Sequence, residues 1–596
     1  MTERESKGRV LELVTVVAFA LLALRVLTFQ VLQSPRYKQL SDENRVRIDV
    51  LQSPRGDICD RNGRVLANSL PSFNIVLDAF ERSYLRKEAF VESTIVSVGR
   101  LLGVNEDSIL SEAMSGKSAS YGRIVVRRGA SLNEISVVEE RLSELPGVEI
   151  DVAPVRHYTL GDTTCHLLGY LGEVSADELE EAGTEIGPGS LVGRGGVEME
   201  YDHLLRGRDG ARLVEVDALG RRVGLLDKSL ARTPRRGSTL VLTVDRDLQR
   251  VAESAFGDWE RGAVVVLDLK TGGVLALVSR PAFDPNLFSS GLSLGEWRKL
   301  LLDRRKPLLN RSIQGTYPPG SVFKLVSTIS GLASGTLRED ATLGSCSGKF
   351  PYGGRVFKCW SENGHGSLNL HDAIVQSCDV FFYRVGLKVG LDRISKYAKE
   401  VGLGEKADID LPGERRGLIP DKRFYDKKFG PGKWARGLLL NLAIGQGEIL
   451  ATPLQLAILA EAVALRGVVL KPHVLQAIRV QDGRTIYTKL EKIEVKGVDR
   501  SLFETVASAM EGVVEGPSGT GSRARVQSVV ICGKTGTAQN PFGEDHAIFV
   551  AFAPAETPEI ALCVIVENGG HGGTVAAPIA QKIMDHYFRA FDRGGI

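Results

Sequence analysis

The chain of 596 residues is long enough for two or three domains with sizeable hydrophobic cores. Its 75 basic and 73 acidic side chains nearly cancel, so no overall electrostatic field favours a nucleic-acid partner. The apolar fraction of 43% and the charged fraction of 25% are ordinary for a globular protein. Composition therefore argues against nucleic-acid binding and does not identify a function.

A long apolar segment near the N-terminus, residues 13–32, carries one charge, that of Arg25. At about 1.5 Å per residue it spans roughly 30 Å, the thickness of a bilayer's hydrocarbon core. A cleaved signal peptide would have a shorter apolar core and a small-x-small cleavage site, and no such site follows Thr28. The segment therefore predicts a single-pass anchor after a short cytoplasmic tail, residues 1–12, with the remaining chain on the exported side of the membrane.

The next region, residues 37–237, mixes charged helical patterns with short strands and glycine-rich turns. Residues 131–145 have a helical pattern, and residues 53–69 indicate a strand, an Asp-Arg-Asn-Gly turn and a second strand. Residues 193–223 indicate a helix that leads into a hairpin. Because these segments contain no cluster of reactive side chains, we interpret the region as an elongated α+β pedestal with a structural or docking role.

A basic linker leads into residues 238–596, where the pattern changes. Residues 262–280 indicate two apolar strands around a Lys-Thr-Gly-Gly turn, and residues 546–554 and 560–568 indicate two more strands. A helix is predicted at 577–591. Strands at both ends with helices between them predict one α+β domain whose sheet brings the first and last strands together.

The first of three short motifs lies in an apolar helical pattern, "YPPGSVFKLVSTISGLASG", at residues 317–335. Ser321 and Lys324 are three residues apart and therefore lie on one helix face. Desolvation favours the neutral form of a buried lysine, and a neutral amine beside a hydroxyl can act as its general base. For this motif alone, a serine helix cap with a snorkelling lysine is the alternative.

The other two motifs carry little weight alone. Ser377-x-Asp379 separates an apolar helical segment from an aromatic-rich one, and such a pair is often a cap or a turn. Lys534, Thr535, Gly536 and Thr537 follow an apolar strand, where the lysine and the threonines can bind a carboxylate. The order Ser-x-x-Lys, Ser-x-Asp, Lys-Thr-Gly is that of the penicillin-recognising serine acyltransferases.

The sequence resembles the class B penicillin-binding proteins, which are peptidoglycan D,D-transpeptidases, over nearly its whole length. It is most similar to the elongation-type members, the penicillin-binding protein 2 group, in which the second motif commonly ends in Asp. The matching segments are "RGDICDRNGRVLA", "GRGGVEMEYDHLLRG", "YPPGSVFK", "AIGQGEILATPLQLA", "GKTGTAQ" and "ENGGHGG".

The resemblance implies the α+β transpeptidase fold, an antiparallel sheet with helices on both faces and a helical subdomain. It implies that Ser321 is the nucleophile and Lys324 its base, and that Ser377 and Asp379 complete the hydrogen-bonded relay. It also implies that the substrate carboxylate is held by the third motif, Lys534, Thr535, Gly536 and Thr537. The oxyanion would be bound by the backbone N–H groups of Ser321 and Thr537.

The resemblance further implies crosslinking of stem peptides with release of D-Ala in cell elongation and rod-shape maintenance, and inhibition by β-lactams. The partners it implies are a membrane-embedded, RodA-like SEDS polymerase, elongation proteins that contact the pedestal, and the lipid-linked precursor. No organic cofactor is expected. The alternatives are a non-catalytic activator of such a polymerase, a β-lactam-hydrolysing or sensing relative, and a D,D-carboxypeptidase.

Three of the seven cysteines and one histidine are concentrated at residues 346–378. The segment 346–360 predicts a hairpin around Gly353-Gly354, in which Phe350 faces Phe357 and Cys346 lies opposite Ser361. In that register Cys346 and Cys359 are diagonal neighbours, about 7–8 Å apart, beyond easy disulfide reach.

The spacing therefore predicts a structural zinc site whose ligands are Cys346, Cys359, His365 and Cys378. Elongation-type relatives can carry zinc at the corresponding position, where the first ligand is offset by two residues from Cys346. His371 is a further candidate ligand, and a disulfide or plain buried thiols are the alternatives. The other cysteines show no pairing pattern.

Overall fold

A computed structural model describes residues 3–36, 38, 46–78, 88–103, 119–120, 123–145, 147–182, 186–187, 190–216, 222–225, 231–541 and 543–593. Its first element is an α-helix, Glu3–Leu27, continued by a π-helical turn, Thr28–Leu32. The stretch Gly8–Leu32 contains an 18-residue window with a mean hydropathy of 2.4, none of which is buried, and is long and apolar enough to cross a membrane. The helix begins within the predicted tail, so the apolar segment and the preceding residues form one element.

The pedestal is built around a long antiparallel ribbon of two strands, Val65–Asp78 and Val148–Tyr158. The predicted strand-turn-strand at 53–69 and the helix within 131–145 are confirmed, as is the helix-to-hairpin order of 193–223 for its described residues. The other pedestal strands are Val46–Leu51, Ile58–Cys59, Ala119–Ser120, Arg123–Arg127, Leu171–Glu173, Leu191–Gly193, Gly210–Val216 and Arg222–Leu225. The pedestal helices are Glu88–Leu102, Leu132–Glu140, Cys165–Leu168, Ala176–Ala182, Gly196–Glu200 and Asp202–Leu205.

A buried ion cluster holds the pedestal together next to the predicted domain boundary. Glu198, which is inaccessible to solvent, accepts hydrogen bonds from Arg55 at 2.5 Å and from Arg156 at 2.6 Å. Arg156 also donates to the Gly56 carbonyl at 2.7 Å. Because removal of one partner would leave an unpaired buried charge, this cluster fixes the helix that carries Glu198 against the strands.

One sheet continues across the predicted boundary between residues 237 and 238. Strand Thr239–Leu242 pairs in parallel with the pedestal strand Ile58–Cys59 and antiparallel with Leu475–Arg479 of the C-terminal region. Thr485–Tyr487 extends the sheet beyond Leu475–Arg479. The two regions therefore share backbone hydrogen bonds and not only a flexible linker.

The C-terminal region contains a five-stranded antiparallel sheet: β1 (Gly262–Asp268), β2 (Val274–Arg280), β3 (Cys532–Ala538), β4 (His546–Ala553) and β5 (Ile560–Val566). The order across the sheet is β2-β1-β5-β4-β3. The prediction that the first and last strands come together is confirmed, because β1 pairs with β5 from Gly262 opposite Val566 to Asp268 opposite Ile560.

Helices cover both faces of this sheet, as predicted. Alternate residues of β1 enter different cores, since Val264 and Val266 pack on one face and Val265 on the other. The C-terminal helix Ala576–Arg593 and the helix Arg246–Ser254 cover the first face. The second face is covered by two helices, which we name α2 (Pro453–Ala464) and α3 (Arg500–Glu515), and by the turn Gly320–Phe323 that leads into a third helix, α1 (Lys324–Ala333).

The remaining described elements form a helical lobe and short connecting pieces. The helices are Asn286–Ser290, Leu294–Leu302, Arg311–Gln314, Leu370–Val375, Asp379–Val389, Leu391–Glu400, Lys422–Phe429 and Leu438–Ala443. The strand pairs are Ser345–Cys346 with Gly366–Ser367, Lys349–Tyr352 with Arg355–Lys358, and Val468–Leu470 with Lys492–Glu494. Short 3-10 turns lie at Leu142–Glu144, Gly161–Thr164, Gly320–Phe323 and Ser522–Ala524.

The central helix α2 contains a buried acid, Glu461, that is inaccessible to solvent. Neither carboxyl oxygen makes a hydrogen bond within the described part of the chain. Burial raises the pKa of Glu461 well above its ordinary value, against a smaller lowering by the Leu470 peptide group. The folded protein therefore holds the proton of this carboxyl to a higher pH than the unfolded chain does.

We expect Glu461→Gln to stabilise the protein at high pH and not at low pH. Below the ordinary carboxyl pKa of about 4.3 both the folded and unfolded chains hold the proton. Above it only the unfolded chain releases the proton, so the free energy of unfolding falls by about 1.4 kcal/mol per pH unit until the folded-state pKa is reached. Thermal unfolding of the full chain in detergent, measured from pH 4.5 to 8, should show a growing advantage for the variant.

Glu448→Gln is the matched control. Glu448 forms an ion pair with Lys428 at 2.7 Å, and its pKa is lowered in spite of partial burial because Lys428 and Tyr425 donate to it. Its replacement should not stabilise the protein at any pH. An equal pH dependence in wild type and Glu461→Gln would contradict the interpretation.

Candidate active site

Ser321 lies in a tight turn at the start of α1, against the end of strand β3. The turn Gly320–Phe323 is 3-10 helical and α1 follows directly, so the predicted helix is confirmed with a tighter first turn. Gly320 has φ +53°, and a Cβ there would lie 2.5 Å from the Thr537 carbonyl oxygen. Only glycine permits this approach, which brings Ser321 beside the Lys-Thr-Gly strand.

Lys324 is inaccessible to solvent and joins the first motif to the second. Its Nζ donates to Asp379 Oδ1 at 2.7 Å, to the Ser377 carbonyl at 2.7 Å and to Ser377 Oγ at 3.2 Å. Three oxygen atoms of Ser377 and Asp379 therefore surround this amine. The structure thus brings together residues that lie more than fifty positions apart in the sequence.

Ser377 connects the second motif to the third. Its Oγ accepts a hydrogen bond from Lys534 Nζ at 3.0 Å, so one hydroxyl contacts both lysines. Burial lowers the pKa of Lys534 well below its ordinary value, the charge of Lys324 adds to that lowering, and Asp379 opposes it. Ser377 also has φ +55°, a left-handed conformation that is unusual for a residue with a side chain.

Strand β3 carries Lys534, Thr535, Gly536 and Thr537 and pairs with β4. Two neighbours of this strand were not assigned roles from the sequence. Gln446 Nε2 donates to the Thr537 carbonyl at 3.0 Å, and the hydroxyls of Thr520 and Thr535 are 2.8 Å apart. Gln446 lies within the segment "AIGQGEILATPLQLA", which the resemblance had marked, whereas Thr520 lies in a loop without a recognisable pattern.

The four predicted metal ligands form one cluster beside the second motif. The potential ligand atoms of Cys346, Cys359, His365 and Cys378 all lie within 4.8 Å of one another. His365 Nδ1 is 3.7 Å from Cys346 Sγ and 3.5 Å from Cys359 Sγ. All seven cysteines are unpaired, so no disulfide forms here, and His371 is instead half exposed and contacts Asp372.

The hairpin that carries two of these ligands follows the predicted register only in part. Phe350 pairs with Phe357, and both turn glycines, Gly353 and Gly354, have positive φ, as predicted. The prediction that Cys346 lies opposite Ser361 is wrong, because Cys346 pairs with Gly366 in a separate short ladder. The chain leaves the hairpin at Gly348, with φ +81°, and this break turns Cys346 towards the other ligands.

The cluster fits a tetrahedral zinc ion. Metal–sulfur bonds of about 2.3 Å and metal–nitrogen bonds of about 2.0–2.1 Å place sulfur and nitrogen ligands about 3.6 Å apart, close to the two observed separations. The Cys359 and Cys378 thiols interact, which lowers the pKa of Cys359 and raises that of Cys378. Cys346 is a full member of this donor set.

Known proteins share both the sequence and the fold. The penicillin-binding protein transpeptidase domain matches residues 262–585 and the penicillin-binding protein dimerisation domain matches residues 50–242. The peptidoglycan D,D-transpeptidase MrdA of Acinetobacter baumannii is 35% identical over 98% of this chain and 88% of its own, and that of Escherichia coli K12 is 31% identical over 94% and 90%.

Solved structures show the same relationship. A penicillin-binding protein PBP2 of Helicobacter pylori, solved in complex with MreC, superposes with a TM-score of 0.80 at 29% identity and covers 91% of this chain and 99% of its own. A chain from a peptidoglycan synthase complex superposes with a TM-score of 0.71 at 29% identity over 98% of both chains.

The fold and these matches define a penicillin-binding protein transpeptidase, an enzyme of the serine acyltransferase class. The chain belongs to the class B peptidoglycan D,D-transpeptidases of the penicillin-binding protein 2 group.

The left-handed backbone of Ser377 generates a stability prediction. An alanine at this position keeps the Cβ in a conformation that costs about 1–2 kcal/mol, whereas glycine removes that cost and loses about 0.5–1 kcal/mol of chain entropy. Ser377→Gly should therefore melt higher than Ser377→Ala. Ser330, buried within α1, provides the control with opposite sign, because Ser330→Gly should melt lower than Ser330→Ala. If the glycine variant melted below the alanine variant at position 377 as well as at position 330, the strain at Ser377 would be contradicted.

Proposed function

We propose that Ser321 is the nucleophile of this transpeptidase and Lys324 its general base. Ser321 Oγ attacks the carbonyl between the two terminal D-Ala residues of a donor stem peptide, and its proton passes to Lys324. The peptide bond breaks, the terminal D-Ala leaves as an amine that takes a proton from the relay, and an ester joins the stem to Ser321. An amine of a second stem then attacks this ester, which forms the crosslink and frees Ser321.

The observation that supports this proposal most directly is the set of hydrogen bonds made by the buried amine of Lys324. An amine without solvent access, placed one helical turn from Ser321 and bound by Ser377 and Asp379, is held where it can exchange a proton with the serine. Ser377 Oγ contacts Lys324 and Lys534, which supports a role for both in the relay to the leaving amine.

We assign recognition of the donor's terminal carboxylate to the strand that carries Lys534, Thr535, Gly536 and Thr537. Its hydroxyls and the lysine are donors for a carboxylate, and a cationic donor strengthens such hydrogen bonds. The backbone N–H groups of Ser321 and Thr537 are assigned to the oxyanion, a contribution of about 3–4 kcal/mol per donor in comparable sites. A β-lactam would acylate Ser321 by the same route.

We place the protein in the cytoplasmic membrane, with residues 13–32 as the anchor, residues 37–237 as the pedestal and residues 238–596 as the transpeptidase domain outside the cytoplasm. The apolar helix Gly8–Leu32 supports the anchor. A RodA-like SEDS polymerase is the proposed partner in cell elongation, with the pedestal as a contact surface for other elongation proteins. Support comes from the similar chains solved with MreC and in a peptidoglycan synthase complex.

We propose that Cys346, Cys359, His365 and Cys378 hold a structural zinc ion. When bound, the ion would supply four bonds that fix the hairpin, the loop after it and the helix start to one another. Cys378 lies between Ser377 and Asp379, so its side chain ties the second motif to the hairpin. The sulfur-rich donor set, buried and already gathered within 4.8 Å, supports zinc over harder ions.

Labelling with a fluorescent penicillin tests the catalytic assignment. Wild type should form a covalent adduct on Ser321 and crosslink nascent glycan made from lipid-linked precursor. Ser321→Ala should lose both activities completely, because it removes the oxygen that forms the proposed ester. Ser330→Ala, which removes a hydroxyl that donates to the Val326 carbonyl in the same helix, should retain both. Labelling that survives in Ser321→Ala would overturn the assignment.

Product analysis distinguishes the alternatives. Release of D-Ala without crosslinked dimers would indicate a carboxypeptidase, and rapid loss of the penicillin adduct would indicate β-lactam hydrolysis. If the Ser321→Ala variant still supported cell growth, the protein would act as a non-catalytic activator.

Removal of one ligand tests the metal site. Purified wild type should contain about one zinc ion per chain, and Cys359→Ser should lose most of it and unfold at a temperature several degrees lower, because metal binding contributes to folding. Elemental analysis and thermal unfolding provide the readouts. Cys59→Ser is the control, since Cys59 and Cys359 are both 6% exposed and Cys59 lies in the pedestal. A metal-free wild type with an unaffected Cys359→Ser variant would refute the site.

A further inference from the structure

Trp360 lies between the metal cluster and the second motif. Its indole N–H donates to the Gln376 carbonyl at 3.0 Å and to the Ser377 carbonyl at 3.1 Å. Its peptide N–H donates to Asp379 Oδ2 at 2.9 Å. One residue therefore contacts the backbone of Ser377 and the side chain of Asp379.

These two acceptors are the ones that bind Lys324. The Ser377 carbonyl that accepts from the indole also accepts from Lys324 Nζ, and the second oxygen of Asp379 accepts from the same Nζ. A carbonyl oxygen has two lone pairs and a carboxylate about four acceptor positions, so both groups can serve the two donors at once. Trp360 thus fixes the Ser377 carbonyl and the Asp379 carboxylate relative to Lys324.

Packing does not explain the presence of a tryptophan here. The residue is 60% exposed, so it removes little apolar surface from water compared with a core aromatic residue. The ring is tilted against His365, with centroids 5.2 Å apart, and the described structure gives it no place in the hydrophobic core. What is specific about the side chain is its single N–H donor, directed into the second motif.

The left-handed backbone at Ser377 needs stabilising contacts, and the indole N–H of Trp360 provides two of them. A left-handed serine persists only where surrounding contacts hold it, and the indole N–H bonds the peptide groups on both sides of that strain. Without those bonds the Ser377 carbonyl is free to turn, and the Lys324 amine loses one of its three fixed acceptors.

We propose that Trp360 is a positioning residue for the acylation step. By holding the Ser377 carbonyl and the Asp379 carboxylate, it fixes the Lys324 amine in place one helical turn from Ser321. The inference rests on the proposed roles of Ser321 and Lys324 and adds to them a residue that acts through Ser377 and Asp379. Its effect is on the rate of ester formation and not on non-covalent binding.

Trp360→Phe in the full-length protein tests this, because it removes the indole N–H while the ring and the peptide N–H remain. The rate of acylation is measured at several concentrations of a fluorescent penicillin. Its concentration dependence gives the non-covalent dissociation constant and the first-order acylation rate. We expect that rate to fall about tenfold, the scale of losing one or two neutral hydrogen bonds, while the dissociation constant stays within about twofold. Replacement of Trp360 by 3-benzothienylalanine, which has the shape of tryptophan without the N–H, should reproduce the slower rate.

Trp434→Phe is the matched control. Its indole N–H also donates a hydrogen bond, to Asp426 at 3.2 Å in the helical lobe, so its loss should leave the acylation rate unchanged. Two results would overturn the inference: a wild-type rate in Trp360→Phe or the benzothienyl protein, or a parallel loss of affinity, rate and melting temperature that marks general unfolding. A wild type that forms no adduct on Ser321 would instead refute the proposed function itself.

Discussion

The buried amine of Lys324 imposes the strongest constraint on the site. A polar amine without access to water is costly unless its hydrogen bonds are satisfied, and here Ser377 and Asp379 supply three acceptors for it. The segment that carries those residues must therefore pack onto helix α1 in one arrangement. The position of Ser321 at the start of that helix and the contact of Ser377 with Lys534 on strand β3 follow from this arrangement.

Two further features maintain the arrangement from opposite sides of Lys324. On one side Gly320 allows the turn at Ser321 to touch Thr537, and Gln446 donates to the same Thr537 carbonyl. On the other side the cysteine and histidine cluster holds the loop that precedes Asp379. The turn at Ser321 thus depends on a backbone contact that requires glycine, and Asp379 directly follows a cysteine of the cluster.

The sequence was sufficient for those parts of the structure that depend on local patterns. Continuous apolar runs at 262–268 and 560–566 predicted both strands, and the helical pattern after Ser321 predicted α1. The membership of the cysteine cluster was also predictable, because the ligands are closely spaced. The residue opposite Cys346 could not be predicted. The hairpin ladder ends at Gly348, which has a positive φ, and the conformation of a glycine cannot be inferred from the sequence.

Contacts between distant segments escaped prediction for a different reason. Thr520 and Gln446 approach strand β3 from loops, and nothing in their neighbouring residues indicates which strand they meet. Glu461 lies in an apolar helix whose pattern gives no sign that this acid is enclosed on every side. Such features depend on tertiary packing, which one sequence specifies only through the complete fold.

The order of strands in the central sheet has a consequence for how this protein is made. Strand β1 lies between β2, which follows it directly, and β5, which begins about 290 residues later. Until β5 has been synthesised, the edge of β1 that faces away from β2 has no partner and remains open to wrong pairings. A chain made from its N-terminus therefore completes its pedestal early and its five-stranded sheet last, and truncation before β5 would remove the centre of this sheet and not merely its edge.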